Sequence, residues 1–250
     1  MPIPFIAPDD EHTPFPDVGA ALREPNGLIM AGGTLSERRL VDAYCCGIFP
    51  WYEEGEPILW WSPDPRCVLY PEKLKISRSL SKTLKSQRYE VTESLAYREV
   101  MKQCGAPRKG STGTWVTDAM ISAYCKLNTR GIAKSFEVWE GHRLVGGLYG
   151  IEIGDVFVGE SMFSRESDAS KAALVHLAQL GRYRVIDCQL ETPHLRSLGA
   201  ESISRNEYVA QLVEHGKKPS ELLPDVFGSN AGSTATQAHF YNKRISFETP

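Results

Sequence analysis

Hydrophobic and polar residues alternate with a period of two along residues 184–190, and this pattern predicts a β-strand. Successive side chains of a strand point to opposite faces. Ile186, Cys188 and Leu190 are therefore expected on one face, and Asp187 and Gln189 together on the other. The predicted strand would hold a carboxylate beside an amide.

A period of 3.6 positions predicts helices over residues 77–86, 168–180 and 205–215, and further helical turns within 96–104 and 120–125. Another helix is predicted after Gly32-Gly33. Thr34 and Glu37 have the spacing of a capping box, and Gly47 is placed to end this helix.

Three strands are predicted in succession over residues 136–139, from 144 onward, and over 156–159. Gly146-Gly147 within the second strand indicates a bulge or a close approach of another molecule. Three meandering strands, a helix and a following strand predict an α/β (or α+β) domain with a mixed sheet flanked by helices. The acetyl-CoA-dependent N-acetyltransferase architecture is of this kind.

Ser62-Pro63-Asp64-Pro65 predicts a rigid turn, because each proline fixes its own φ and restricts the residue before it. We expect a small aromatic-rich N-terminal domain over residues 1–63 and the catalytic, N-acetyltransferase-like domain over 64–228. Gly, Ser, Thr and Ala are common after residue 229, which predicts a loose polar tail over 229–250.

The 250-residue chain has 42% hydrophobic and 24% charged residues and a formal net charge of -3, which is typical of a soluble protein. A polyanionic partner must therefore meet a local basic patch. Residues 73–88 contain Lys and Arg but no acid. On a helix, Arg78, Lys82 and Lys85 fall on one face, which is either a solvated surface or a contact for phosphates.

Six cysteines are present without a C-x-x-C pair and without histidine clusters at ligand spacing, so neither a disulfide framework nor a metal site is predicted. The amino end lacks the pattern of a secretory leader, and no apolar run reaches the roughly 18 residues of a membrane span. We expect a cytoplasmic monomer with free thiols.

A series of short motifs, in order along the chain, resembles the leucyl/phenylalanyl-tRNA:protein transferase family. Examples are Gly47-Ile-Phe-Pro-Trp51 and Ile186-Asp-Cys-Gln189. The remaining motifs are residues 21–28, 43–44, 57–66, 77–79, 113–115, 137–139, 144–150, 159–164, 169–171 and 197–200. The chain departs from the usual family residues at Thr34, Asn128 and Lys134.

The resemblance implies an enzyme that moves leucine or phenylalanine from aminoacyl-tRNA to the amino end of proteins that begin with Arg or Lys. This addition marks the acceptor for degradation. The implied catalytic domain has the N-acetyltransferase-like fold. Because the donor is an activated ester, amide formation is expected to need no cofactor.

For the reaction centre, Gln189 is expected to accept and orient the incoming amine through its amide oxygen. Asp187 either polarises Gln189 or takes the proton, and the ribose hydroxyl of the substrate is an alternative proton relay. Glu160 is a candidate to hold an ammonium, either the donor α-amine or the basic end of the acceptor. A structural role for Glu160 is the alternative.

Leu148, Met162 and Leu177 are candidates to line an apolar cavity for the transferred amino acid, although core packing explains them equally well. Trp51 and Trp115 are candidate stacking platforms for the 3' adenosine, and a core role is the alternative for both.

Two other functions fit parts of the pattern. An acetyl-CoA-dependent N-acetyltransferase would share the strand order, but its pyrophosphate loop is usually rich in glycine. The corresponding residues 164–171 contain no glycine and two acids. A tRNA-binding protein without catalysis would not need Asp187 and Gln189 together.

Overall fold

The protein is described by a computed structural model over residues 3–106 and 116–228. Its smaller β-sheet has the strand order β1-β2-β4-β3, in which only the β1 and β2 pair is parallel. Its strands are β1 (Phe5–Ile6), β2 (Leu28–Gly32), β3 (Phe49–Pro50) and β4 (Leu59–Trp61).

The larger sheet has the order β11-β5-β10-β9-β8-β7-β6. Its strands are β5 (Arg66–Leu69), β6 (Glu90–Glu93), β7 (Ala133–Glu140), β8 (Arg143–Ile153), β9 (Val156–Ser164), β10 (Val185–Gln189) and β11 (Glu201–Ile203). Neighbouring strands are antiparallel except β9 and β10, which are parallel. The predicted mixed sheet is therefore confirmed.

Helices join many of these strands, and two short 3-10 turns cover Val18–Ala20 and Pro71–Lys73. The helices are α1 (Glu37–Cys45), α2 (Arg78–Lys85), α3 (Tyr97–Cys104), α4 (Asp118–Thr129), α5 (Ala169–Gln179), α6 (Pro193–Ser197), α7 (Arg205–His215), α8 (Pro219–Leu222) and α9 (Pro224–Phe227). The predictions over 77–86, 168–180 and 205–215 correspond to α2, α5 and α7 and are confirmed.

The predicted cap of α1 is wrong. Ser36 caps the helix by accepting a hydrogen bond from the backbone N–H of Arg39. Gly32 and Gly33 both have positive φ, so the chain is still turning where Thr34 was expected to begin the helix. Gly47, with φ of 76°, follows the last turn as predicted.

The close approach predicted at the paired glycines comes from the protein itself. A Cβ at Gly146 would lie 2.6 Å from the Cβ of Ala169, so glycine lets α5 pack directly on β8. A bulge is also present, because Val138 pairs with Gly146 whereas Trp139 pairs with Leu144. Val145 of β8, next to the glycines, is thus left without a pairing partner on β7.

Helices cover both faces of the larger sheet. Buried residues of α5 pack with Phe136, Leu148 and Ile186 on one face. On the other face, residues of α1, α3, α4 and the smaller sheet form one continuous core with β8 and β9. The chain passes between the sheets across residues 62–65, and we propose to divide it there into domains of residues 1–63 and 64–228.

The predicted tail over 229–250 and Trp115 lie outside the described residues. None of the helices within 3–106 and 116–228 has the length and apolar character of a membrane span. All six cysteines have free thiols.

Candidate active site

The parallel strands β9 and β10 stop pairing in the middle of the larger sheet. Their register runs from Val156 opposite Val185 to Val158 opposite Asp187. Both strands bulge immediately beyond this point. Because a bulge bends its strand and interrupts the hydrogen-bond ladder, β9 and β10 do not pair with each other beyond Val158 and Asp187.

On β9 the bulged residue is Glu160. Tyr149 of β8 pairs with Ser161 and Gly150 pairs with Gly159, so Glu160 between them has no partner in the ladder. On β10 the register shifts between Asp187 and Gln189. The three candidate catalytic residues therefore surround one local break in the sheet.

The carboxylate of Glu160 has three potential donors around it. Its Oε1 accepts hydrogen bonds from Tyr44 Oη at 2.7 Å and from Gln189 Nε2 at 2.9 Å, and Tyr124 Oη lies 3.4 Å from its Oε2. Burial raises the pKa of Glu160 to about 7, and Asp187 adds to this increase. The hydrogen bonds from Tyr44 and Gln189 act in the opposite direction.

Asp187 lies in a closed network and is fully buried. Arg66 Nε donates to Oδ1 at 2.8 Å and Arg66 Nη2 donates to Oδ2 at 2.6 Å. Tyr208 Oη also donates to Oδ2, at 2.7 Å. Since Arg66 is itself almost fully buried, this bidentate pair is an internal ion pair and not a surface contact.

Gln189 is held at both its backbone and its side chain. Its backbone N–H donates to Asp187 Oδ1 at 2.8 Å, and its φ is 61°, which is unusual for a residue other than glycine. Its Nε2 faces Glu160, a carboxylate that accepts in its ionised form. Among the described residues, nothing donates a hydrogen bond to the amide oxygen of Gln189.

Asp187 and Gln189 do reach the same face of the sheet. Asp187 contacts Tyr208 of α7, and Gln189 contacts Glu160, which bonds to Tyr44 of α1. The backbone between Asp187 and Gln189 is bulged and does not follow the regular strand conformation on which the sequence prediction was based. The left-handed backbone at Gln189 returns its side chain to this face.

An apolar cavity of about 650 Å³ opens beside this centre. Leu148, Met162 and Leu177 all line it, as do Glu160 and Asp187. The structure therefore brings the three predicted pocket residues together next to two of the three predicted catalytic residues. Further apolar residues that the sequence did not indicate also line the cavity, among them Phe157, Leu174 and Ile186.

Two models of protein families match the chain. The model described as "Leucyl/phenylalanyl-tRNA protein transferase" matches residues 68–213, and that of its N-terminal domain matches 33–64. A leucyl/phenylalanyl-tRNA--protein transferase of Chromobacterium violaceum is 52% identical over 220 residues, covering 87% of this chain and 93% of the relative. This chain belongs to the leucyl/phenylalanyl-tRNA protein transferase family. The expected family and enzyme class are confirmed.

A second relative of the same name, from Thiobacillus denitrificans, is 56% identical over 218 residues, covering 86% of this chain and 96% of the relative. Among solved structures, a GCN5-related N-acetyltransferase from Kribbella flavida has 10% identity and a TM-score of 0.35, covering 70% of this chain and 63% of that one. A conserved protein of unknown function from Staphylococcus epidermidis has 12% identity and a TM-score of 0.37, covering 71% and 68%.

In this family member, Trp51 lies at the end of the smaller sheet with 47% of its surface exposed. Its ring packs against Trp61 at 5.7 Å between centroids, and Trp61 Nε1 donates to the backbone oxygen of Trp51 at 2.7 Å. Trp51 does not line the apolar cavity. An exposed indole supported by a second indole is compatible with base stacking.

The predicted basic face is present on α2. Arg78, Lys82 and Lys85 are exposed, whereas Leu80 on the opposite face is buried. Within the described ranges these three cations form no ion pair. By contrast, Lys73 is paired with Glu201 and Arg88 with Glu140, so the unneutralised charge of the 73–88 segment is concentrated on the helix.

Sequence reasoning missed the residues that hold the centre. Tyr44 stands out in the sequence only within the motif at residues 43–44, and Arg66 only as the end of the motif at 57–66. The charge of Arg66 in a buried strand was an available signal, because such a cation needs a buried carboxylate as its partner. Nothing in the hydrophobic pattern indicates which hydroxyl groups reach Glu160.

Proposed function

We propose that this protein transfers leucine or phenylalanine from aminoacyl-tRNA to the α-amine of acceptor proteins that begin with Arg or Lys. The addition would mark the acceptor for degradation, and we propose that the enzyme acts as a monomer in the cytoplasm. The observation that carries this proposal is an apolar cavity lined in part by Glu160, whose carboxylate accepts a hydrogen bond from the amide of Gln189.

The donor would place its side chain in the cavity and its α-ammonium at Glu160. The volume of about 650 Å³ is larger than one leucine or phenylalanine side chain requires, so it can accept either shape. Met162 supports this assignment because methionine adapts to both branched and planar groups.

The amide oxygen of Gln189 would accept a hydrogen bond from the acceptor amine and so direct the lone pair of the amine nitrogen at the ester carbonyl. The nitrogen forms the new C–N bond, the ester C–O bond breaks, and the amine proton passes to the departing ribose oxygen. Because an α-amine has a reference pKa of about 7.7 to 8.0, positioning supplies most of what the reaction needs.

Asp187 serves this chemistry best as an orienting group. Each of its oxygens accepts two hydrogen bonds, Oδ1 from Arg66 and the Gln189 backbone, and Oδ2 from Arg66 and Tyr208. With both oxygens engaged in this way, Asp187 is suited to hold its neighbours in place. Its bond to the backbone of Gln189 instead supports the unusual conformation that presents the amide.

The start of α5 argues against acetyl-CoA as donor. Glu166 and Asp168 precede the helix, and a pyrophosphate there would meet their negative charges. The backbone N–H of Ser170 already donates to Ser164 Oγ at 3.2 Å. One of the donors that an anion would use is thus occupied.

The direct test is incubation of the full chain with radiolabelled leucyl-tRNA and an acceptor protein that begins with Arg. Labelled acceptor is the expected product, and the same acceptor with an N-terminal Gly or a blocked amine is the control. Acetylation by acetyl-CoA, or binding of charged tRNA without product, would refute the proposal.

Met162→Trp should narrow the cavity and reduce phenylalanine transfer more than leucine transfer, because the planar ring needs the greater length. The measurement is kcat/KM for both donors. Equal losses for the two amino acids would remove Met162 from the specificity determinants.

The double variant Lys82→Glu/Lys85→Glu should weaken the binding of aminoacyl-tRNA and flatten its salt dependence, because about two phosphate contacts are lost. Lys126→Glu/Lys217→Glu makes the same change in charge at exposed sites on other helices and connecting segments. Equal binding by the two double variants would place the tRNA elsewhere.

Glu160→Gln should raise the KM for aminoacyl-tRNA and abolish its dependence on pH near 7. In the wild type, Glu160 loses its charge as the pH falls through its pKa of about 7, so ammonium binding weakens on the acidic side. Measuring the donor KM from pH 6 to pH 9 in both proteins tests this. A wild-type KM that stays constant over the range would contradict it.

A further inference from the structure

Two tyrosines from different parts of the chain meet at Glu160. Tyr44 belongs to α1, which precedes the proposed domain division, and Tyr124 belongs to α4, which follows it. Both rings are fully buried or nearly so. Their hydroxyl groups are hydrogen-bonded to each other, and the Tyr44 hydroxyl also donates to Glu160 Oε1 at 2.7 Å.

Each of these two phenols has one hydrogen to donate, and this fixes the donor and the acceptor in the hydrogen bond between them. Tyr44 uses its single hydrogen for Glu160, so in the contact between the hydroxyls Tyr124 is the donor and Tyr44 the acceptor. The alternative for Tyr124 is its longer contact of 3.4 Å to Glu160 Oε2. Both arrangements deliver phenolic hydrogens toward the carboxylate, and linked hydrogen bonds polarise one another.

We propose that Tyr44 and Tyr124 are positioning residues that keep Glu160 ionised, so that its carboxylate can bind the ammonium of the aminoacyl donor. This inference rests on the proposed function of Glu160. It makes the N-terminal part of the chain a component of the reaction centre, because Tyr44 is supplied from α1. Gly47, which follows α1, also accepts from Arg66 Nη1 at 3.2 Å.

Ionisable groups from several elements face Glu160. They are Tyr44 of α1, Tyr97 of α3, Tyr124 of α4, Tyr149 of β8, Asp187 of β10 and Arg66 of β5. Burial and Asp187 favour the neutral acid, whereas the hydrogen bonds and Arg66 favour the carboxylate. Removing a hydrogen bond to the charged form must therefore raise the pKa of Glu160.

The same group of buried rings provides a matched control. Tyr97 is as buried as Tyr44, and within the described part of the chain its hydroxyl has no hydrogen-bond partner. Tyr97→Phe thus removes the same atom from the same environment without removing a bond to Glu160. It separates the proposed electrostatic role from the general effect of losing a buried hydroxyl.

The decisive experiment measures the KM for aminoacyl-tRNA against pH in the wild type, Tyr44→Phe, Tyr124→Phe and Tyr97→Phe. The acidic limb is the pH range in which this KM rises as the pH is lowered. Tyr44→Phe should move the limb upward by about one pH unit. Its apparent KM for aminoacyl-tRNA should then be about fivefold higher at pH 7 and similar to wild type at pH 9. Tyr124→Phe should shift the limb less, in the same direction, and Tyr97→Phe should not shift it.

A second readout does not depend on activity. In the full chain labelled with ¹³C at the glutamate side-chain carboxyl, the resonance of Glu160 is identified by its loss in Glu160→Gln and followed with pH. The titration midpoint should rise in Tyr44→Phe and stay unchanged in Tyr97→Phe. If the wild type transfers no amino acid, the proposed function fails, but this titration still tests the tyrosine pair.

Equal midpoints in the wild type, Tyr44→Phe and Tyr124→Phe would overturn the proposal. A loss of activity in Tyr44→Phe that is the same at pH 7 and pH 9 would also overturn it, since that result indicates a purely structural role. If Tyr44→Phe fails to fold, the comparison of Tyr124→Phe with Tyr97→Phe decides the question.

Discussion

Replacing Arg66 with methionine should lower the free energy of unfolding by about 3 to 5 kcal/mol. The substitution keeps much of the side-chain volume but leaves Asp187 buried without its cation. Asp187 would retain only Tyr208 and the Gln189 backbone as donors. Chemical denaturation of the wild type and the variant measures the difference.

The chain offers a matched control for this prediction. Arg182 also forms a bidentate pair, with Glu93 at 2.9 and 2.8 Å, but its side chain is 47% exposed. Arg182→Met should cost no more than about 1 kcal/mol, because solvent screens such pairs. If Arg66→Met lowered the free energy of unfolding as little as Arg182→Met, the buried pair would contribute no more to stability than the exposed pair.

A companion variant tests the reason for the loss. Adding Asp187→Leu to Arg66→Met removes the unpaired charge, so it should restore part of the lost stability. Activity should not return, because Gln189 would still lack the carboxylate that holds its backbone. Recovery of both stability and activity would show that Asp187 has no orienting role.

Gln189→Ala should lower kcat for transfer by roughly a hundredfold or more, because the acceptor amine loses the group that orients it. Binding of aminoacyl-tRNA should change little at pH 9, where Glu160 is ionised even without the hydrogen bond from Gln189, since Glu160 and the cavity remain. Single-turnover transfer with saturating charged tRNA measures the chemical step, and a direct binding assay measures affinity.

Gln179→Ala is the control for this substitution. Gln179 ends α5 on an exposed surface and should tolerate alanine without a change in rate. A Gln189→Ala enzyme with nearly normal kcat would show that the amine finds its position without the amide. A parallel loss of tRNA affinity at pH 9 would instead indicate that Gln189 binds the donor.

The local sequence pattern correctly predicted those helices and strands that depend mainly on interactions between residues close together in the chain. The helix over 205–215 has its own capping box, formed by Ser204 and Glu207, and its predicted ends agree with the structure. The three strands predicted around 136–159 correspond to β7, β8 and β9, and Gly141, with φ of 59°, lies in the short turn between the first two. Each of these signals lies within a few residues of the feature that it predicts.

The centre itself depends on contacts between distant segments. Its two bulges arise where β9 and β10 pair with β8 and β5, and a single strand does not encode the register of its neighbours. Tyr44 and Glu160 are 116 positions apart, and Arg66 and Asp187 are 121 apart. Sequence reasoning therefore named Glu160, Asp187 and Gln189 but not the groups that hold them.

The family motifs indicated the correct protein class because they include residues that are distant in the chain but meet at the centre. Tyr44 lies in the motif at residues 43–44, and Arg66 ends the motif at 57–66. The motifs gave no physical role for either residue. The structure supplies that role as hydrogen bonds to Glu160 and Asp187.

The central claim is that the donor lies with its side chain in the cavity and its ammonium at Glu160. A crystal structure with a non-hydrolysable 3'-amide analogue of leucyl-adenosine tests it most directly. We predict the leucine side chain between Leu148 and Met162, with its nitrogen within hydrogen-bonding distance of a Glu160 oxygen. A leucine bound outside the cavity, or an ammonium directed away from Glu160, would contradict the account.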